Sequence, residues 1–235
     1  MISDELREHY EAAVRADIPR SVLVEVSEAF PLAAMQARAS VAESAKAIDG
    51  GFALTKLREA RAAGLLRHQV TDQAFEQILL QNEAELISRV PVDRGPTDAR
   101  DAPVFLTTGK FGGTLLGFAS HREANDLPIK NATRLALCSQ NRGLVGDLFT
   151  PLEAFSARPR SVLIPVQRDP FDIGKIGSIS ISLIDPKVEG FLFQRKLNDF
   201  LSSYGERSVS GRKIELKADA RRFRDKSGRD RASGA

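Results

Sequence analysis

Four cationic side chains, Lys56, Arg58, Arg61 and Arg67, fall within residues 53–68, a stretch that holds a single acid, Glu59. Cations at that density neutralise phosphate and release its counterions. Spaced along one helix, they reach base edges or the backbone of a DNA groove. Three more arginines, Arg221, Arg222 and Arg224, stand together in a C-terminal segment, residues 206–235, that carries ten basic and five acidic residues. These seven are the candidate nucleic-acid-binding residues. The Gly-rich run TTGKFGG at 107–113 does not have the spacing of a phosphate-binding loop. That loop places its Gly-Lys pair at the opening of a helix, whereas here the lysine follows the first glycine and a strand follows the run, so a hairpin is expected.

Residues 40–68, SVAESAKAIDGGFALTKLREARAAGLLRH, resemble the helix-turn-helix core of winged-helix DNA-binding domains. The resemblance implies a first helix with Val41, Ala45 and Ile48 inward and a turn at Gly50 and Gly51. A second helix would follow with Leu54, Leu57 and Ala60 inward, closed by Gly64-Leu65-Leu66. Its outward face would then present Thr55, Lys56, Arg58, Glu59 and Arg61 to a major groove, with Arg67 and His68 just beyond. Pro31 interrupts the place where a supporting helix should lie, and no two-stranded wing is evident after His68.

Two further sets carry catalytic residue types. His121, Asn131 and Asn141 follow a strand in a manner that resembles the His-Asn-His/Asn nucleases, in which a strand-end His activates water and a later residue holds a divalent metal. Ser120 stands where that pattern has an acid, and Asn141 is a poor metal ligand. Asp185, Glu215 and Lys217 have the order of the carboxylate–carboxylate–lysine set of metal-dependent restriction-type nucleases. Only eighteen residues follow Lys217, too few for the helix and strand such a core needs. A polar loop and an Asp-Pro turn account for these residues better. No catalytic residue, metal or cofactor is assigned.

The formal net charge of +3 over 235 residues hides an asymmetry. Residues 1–100 hold 12 basic against 16 acidic residues, and the excess of positive charge elsewhere comes mostly from the C-terminal segment. The folded body is near neutral, so the high isoelectric point does not by itself indicate nucleic-acid binding. Cys138 is the only cysteine, which rules out an internal disulfide and points to a reducing, cytoplasmic setting. The acidic N-terminus carries no secretory pattern, and no apolar run is long enough to span a bilayer.

Composition changes near residues 94–103. Residues 1–93 hold three of the thirteen Phe, and residues 104–204 hold nine together with β-branched runs. The first part reads as helices: Asp4–Asp17 with Leu6, Tyr10, Ala13 and Val14 inward and Glu5, Glu8, Glu11 and Arg15 outside, ended by Ile18-Pro19. A strand-or-helix ambiguity follows at Val22, Val24 and Val26. A helix restarted by Pro31 comes next, with Leu32, Met35, Val41 and Ala45 inward, then helices over 53–66 and 71–89. Residues 94–103 are expected to be an exposed linker. Strands are expected at 104–107, 114–120, 132–138, 161–166, 178–183 and 190–193, the fifth wet on its serine face, with a terminal helix over 196–204.

The fold class is therefore α+β: a helical domain at 1–93, a linker at 94–103, a mostly antiparallel β-rich domain at 104–205 with one or two packed helices, and a disordered basic tail at 206–235. The leading functional expectation is a non-enzymatic DNA-binding or regulatory accessory protein whose β-rich part senses a ligand or dimerises. A non-catalytic interaction or scaffold subunit is the alternative, and a metal-dependent nuclease the third. The implied partners are DNA, another protein or a second copy of the chain, with no membrane partner.

Overall fold

A computed structural model describes residues 4–46, 55–93, 99–104, 106–121, 127–144, 158–172 and 174–204. Three helices come first: α1 (Asp4–Asp17), α2 (Arg20–Lys46) and α3 (Lys56–Gln81). Then follow β1 (Glu85–Leu86), β2 (Arg89–Asp93), β3 (Ala99–Pro103), β4 (Thr108–Phe111) and β5 (Thr114–His121). After these, α4 (Ala132–Ser139) runs into a 3-10 turn (Gln140–Leu144), followed by β6 (Arg160–Arg168), β7 (Ile176–Ile184), β8 (Phe191–Lys196) and α5 (Leu197–Ser202). The fold is α+β, helices followed by a mostly antiparallel sheet. The Gly50-Gly51 turn, the three tail arginines, Glu215 and Lys217 lie outside the described residues.

Six strands form one sheet in the order β1-β4-β5-β6-β7-β8. All its pairings are antiparallel except β5–β6, where Thr114 to His121 runs parallel to Arg160 to Gln167. A parallel pair needs a crossover, and the segment containing α4 supplies it. β2 and β3 pair separately, with Arg89 opposite Pro103 and Asp93 opposite Ala99. The expected linker is thus, over residues 99–103, a strand.

Alternation along the strands sorts the core onto two faces. Leu116, Phe118, Val162, Ile164 and Val166 point to the helical layer and join Tyr10, Val14, Val22, Phe30, Phe75 and Ile78 in one buried cluster. Leu163 points the other way and packs with Val90, Leu137, Cys138, Ile184 and Val188, while half-buried Leu115 lies against them. The sheet is therefore covered on both faces, not one. For that reason Ser180 and Ser182, expected to be wet, are 7% and 0% exposed. At the centre of the larger cluster Phe30 of α2, Phe75 of α3 and Phe118 of β5 meet edge to face, at centroid distances of 5.9, 5.5 and 5.5 Å.

Several expected elements differ. Pro31 does not restart a helix; it sits inside α2, and the true inner face runs Val22, Val26, Phe30, Ala33, Ala37, Val41. Starting the helical frame at Pro31 rotates it, which is why Leu32 and Met35, expected inward, are 53% and 60% exposed. The helices expected over 53–66 and 71–89 are a single helix that ends at Gln81. Residues 132–138 are helix rather than strand: Asn131 caps the N-terminus by accepting from the Arg134 amide at 2.8 Å. Burial of Thr133, Ala136, Leu137 and Cys138 follows a helical period. Val104, Leu106 and Thr107 are not in a strand, and the 107–113 run is the β4–β5 hairpin, with Gly112 taking the positive φ (55°) its turn requires. Among the described residues no helix is long and apolar enough to cross a membrane.

Gly64 lies in the interior of α3, and a Cβ built there meets nothing within 4 Å. Gly64→Ala is expected to stabilise the protein by roughly 0.5–1 kcal/mol, because alanine removes backbone freedom from the unfolded chain without a clash. Urea denaturation measures it; a lower midpoint would show that residues 64–66 bend as a turn between two helices.

Candidate functional site

The basic residues of α3 divide by geometry. Thr55 caps the helix, its hydroxyl accepting from the Arg58 amide at 3.4 Å. Lys56, Arg58 and Arg61 are all exposed, but at 3.6 residues per turn Arg58 and Arg61 lie about 60° apart while Lys56 is about 160° from Arg58. Lys56 turns toward α2, where it lines a cleft of about 310 Å³ with Arg38, Glu59, Phe171 and Asp172. Arg67, expected outward, is 7% exposed. Burial, and then the neighbouring Arg168 charge, hold its guanidinium below the usual arginine range.

Of the polar residues that suggested hydrolytic chemistry, Asn131, Asn141 and Asp185 serve the backbone. Asn141 is fully buried: its Nδ2 donates to the carbonyls of Ser161 at 2.9 Å and Ile184 at 2.8 Å, and its Oδ1 accepts from the Ser161 amide at 2.6 Å. One carboxamide thereby ties the 3-10 turn to β6 and β7. Asp185 accepts from the amides of Lys187 at 2.8 Å, Glu189 at 2.6 Å and Gly190. It closes the β7–β8 connection, where Val188 has a positive φ of 57°. Asn131 is the α4 cap, and His121 is buried at the end of β5. Among the described residues no group of three or more His, Cys, Asp or Glu is placed to hold a metal ion. Cys138 is buried in the smaller cluster, and burial first, then the Asp185 charge, push its thiol up to about 12, so it is inert at neutral pH.

Two ionic sites were not singled out in the sequence. At the end of α1, Asp17 accepts from the Thr114 hydroxyl at 2.6 Å and lies 3.6 Å from the Arg160 guanidinium, whose side chain is 3% exposed. Burial lowers the Arg160 pKa and the Asp17 charge opposes that shift. A Cβ on Gly112 would stand 3.1 Å from the same carboxylate, so the glycine also admits the helix end against the hairpin. Earlier in α1, Glu11, expected on the outer face, is 8% exposed. It accepts from Arg195 of β8 at 2.6 Å and from Arg15 at 3.2 Å.

Beside that ion pair lies an open groove. Asp4, Arg7, Glu8 and Glu11, at i, i+3, i+4 and i+7 on one face of α1, face residues 191–195 of β8 across a groove of about 480 Å³. β8 pairs with β7 on one side and ends the sheet on the other. Asp4 lies 3.6 Å from exposed Arg7, and Glu8 is exposed. The result is an open, mildly acidic channel bounded by a helix and a strand edge that is unpaired among the described residues, with Arg195 and Glu11 locked together in its wall. Its helical half was readable as the polar side of α1; its pairing with residues nearly two hundred positions later was not.

No protein-family model matches the chain, and no match is found among the curated proteins or the solved structures.

Replacing Asn141 with Ala leaves three buried backbone groups without their partner. The expected loss is about 3 kcal/mol, measured by urea denaturation with the far-UV CD spectrum of the folded state retained. An unchanged midpoint would show that Asn141 is not a structural tether.

Proposed function

We propose that the protein is a non-catalytic interaction subunit that binds an extended peptide by adding it as a strand to the free edge of β8, under the acidic face of α1. The observation that carries this reading is the groove itself. Strand addition draws affinity from main-chain hydrogen bonds along an unpaired edge and specificity from the alternate side chains that meet the flanking surface. Here the edge is six residues long, and the flanking surface offers Asp4 and Glu8 to a basic side chain. Asn131, Asn141 and Asp185 are already occupied in holding backbone, which supports a binding role over hydrolysis.

Selection from a displayed random-peptide library against the full-length protein tests the reading. Selected peptides are expected to be basic at alternate positions and to lose roughly tenfold in affinity to Asp4→Lys/Glu8→Lys, the size of about 1.4 kcal/mol. N-methylation of the bound peptide at one parity of amide should abolish binding, and at the other parity leave it intact. Equal tolerance of both parities, or selected peptides indifferent to the charge reversal, would overturn strand addition at this edge.

A second reading, DNA contact through α3, is favoured by one observation: Arg58 and Arg61 share the exposed side of the helix. Arg58→Glu/Arg61→Glu should then weaken DNA retardation at least tenfold at low salt, with a reduced salt slope. A mobility-shift series measures both, and retardation unaffected by the double exchange removes this reading.

A further inference from the structure

The end of the described chain lies next to the groove. The Tyr204 hydroxyl donates to the Ile18 carbonyl at 2.9 Å, and the Arg15 guanidinium donates to the Ser203 carbonyl at 3.2 Å, so the residues after α5 are held at the C-terminal end of α1. From there the groove face of α1 begins about 10 Å away and ends about 20 Å away, at 1.5 Å per residue. Residues 205–211 can span about 23 Å when extended. The segment beyond them, Arg212-Lys213-Ile214-Glu215-Leu216-Lys217-Ala218, alternates as a strand does, with Ile214, Leu216 and Ala218 on one side and Lys213, Glu215 and Lys217 on the other.

Direction, charge and shape agree. A chain that leaves the end of β8 through one short helix returns along the edge antiparallel, the simplest connection. α1 carries five acids and two arginines, and residues 206–235 carry ten basic and five acidic residues. A strand laid on β8 with its lysine side toward α1 sets Lys213 and Lys217 near Asp4 and Glu8. Its apolar side then extends the opposite face of the sheet, where Phe191 is half-buried against the smaller core cluster.

We propose that residues 212–218 occupy the groove in cis as an antiparallel strand on β8, so that a partner peptide binds only by displacing them. This rests on the groove reading above. Such a device lowers the apparent affinity for a partner by the fraction of molecules with the groove open, and anything that neutralises the lysines would release it.

The test compares the full-length protein with full-length Ile214→Asp/Leu216→Asp, whose folding is checked by thermal melt. Native-state hydrogen exchange at residues 191–196 is expected to be roughly tenfold faster in the variant, and the affinity for a library-selected peptide roughly tenfold higher. Protection in the unsubstituted protein should be the same over a roughly hundredfold range of concentration. Protection seen only at high concentration would assign the strand to a second copy and overturn the cis assignment. If a selected peptide binds both proteins equally and protects β8 in both, the groove binds peptides but this segment does not fill it. If no peptide binds either protein and β8 exchanges alike in both, both readings fall.

Discussion

Contact among Phe30, Phe75 and Phe118 is the interaction on which the remaining geometry depends. Each ring comes from a different element, α2, α3 and β5, and their interplanar angles of 62–72° are the edge-to-face arrangement that aromatic quadrupoles favour. Three such contacts add roughly 0.5–1.5 kcal/mol each beyond the apolar area they bury. Their larger effect is positional. They clamp a two-helix hairpin to the middle of the sheet at one registration, and the His68 ring, 5.6 Å from Phe118, continues the contact along α3. Once α2 is fixed there, the short break at Ile18-Pro19 leaves α1 little choice but to run beside the sheet toward β8. The groove is thus a downstream result of where three phenylalanines meet.

Around that apolar centre the buried polar side chains act as fasteners. Asn141 satisfies backbone groups that would otherwise be costly to bury, Asn141 and Asp17 each join segments far apart in the chain, and Asp185 closes a local turn. Tyr10 does the same from α1: its hydroxyl donates to the Leu144 carbonyl, and burial pushes its pKa up to about 12. The residue types are those of hydrolytic sites, because the property that makes a carboxylate or carboxamide useful to a substrate also makes it useful to an unpaired amide. What separates the two uses is whether the polar atoms are already engaged, as all those of Asn141 are.

Local signals were legible wherever one element decides its own structure. The stop at Ile18-Pro19, the α1 stripe of Tyr10, Ala13 and Val14, and strands β5 to β8 follow from spacing alone. Errors arose where tertiary packing overrode a local rule. Pro31 stays within α2 because the Phe30 and Ala33 face is anchored on both sides of it. Residues 132–138 were expected to form a strand, yet Asn131 caps them, Ala, Leu and Arg favour a helix, and the crossover between parallel strands is usually helical. The serine face of β7 was expected to be wet because the covering layer comes from α4 and the β2–β3 hairpin, whose position no short window contains. The groove was least legible of all: its two walls come from residues 4–11 and 191–195, and only the order of strands in the sheet makes them neighbours.

That strand order also explains why the β8 edge calls for a cover. A sheet has two edges, and unpaired amides and carbonyls on a long edge template association with other chains. At one end the problem is small, since β1 is two residues long. At the other, β8 offers six residues that begin Phe-Leu-Phe and include no proline to discourage pairing. Arg195 and Lys196 blunt only its last third, and α1 shields it from one side while leaving the channel open. An edge so placed is stable in solution when something extended lies along it. The acids of α1 beside that edge, Asp4 and Glu8, favour a basic side chain over an acidic one on whatever lies there.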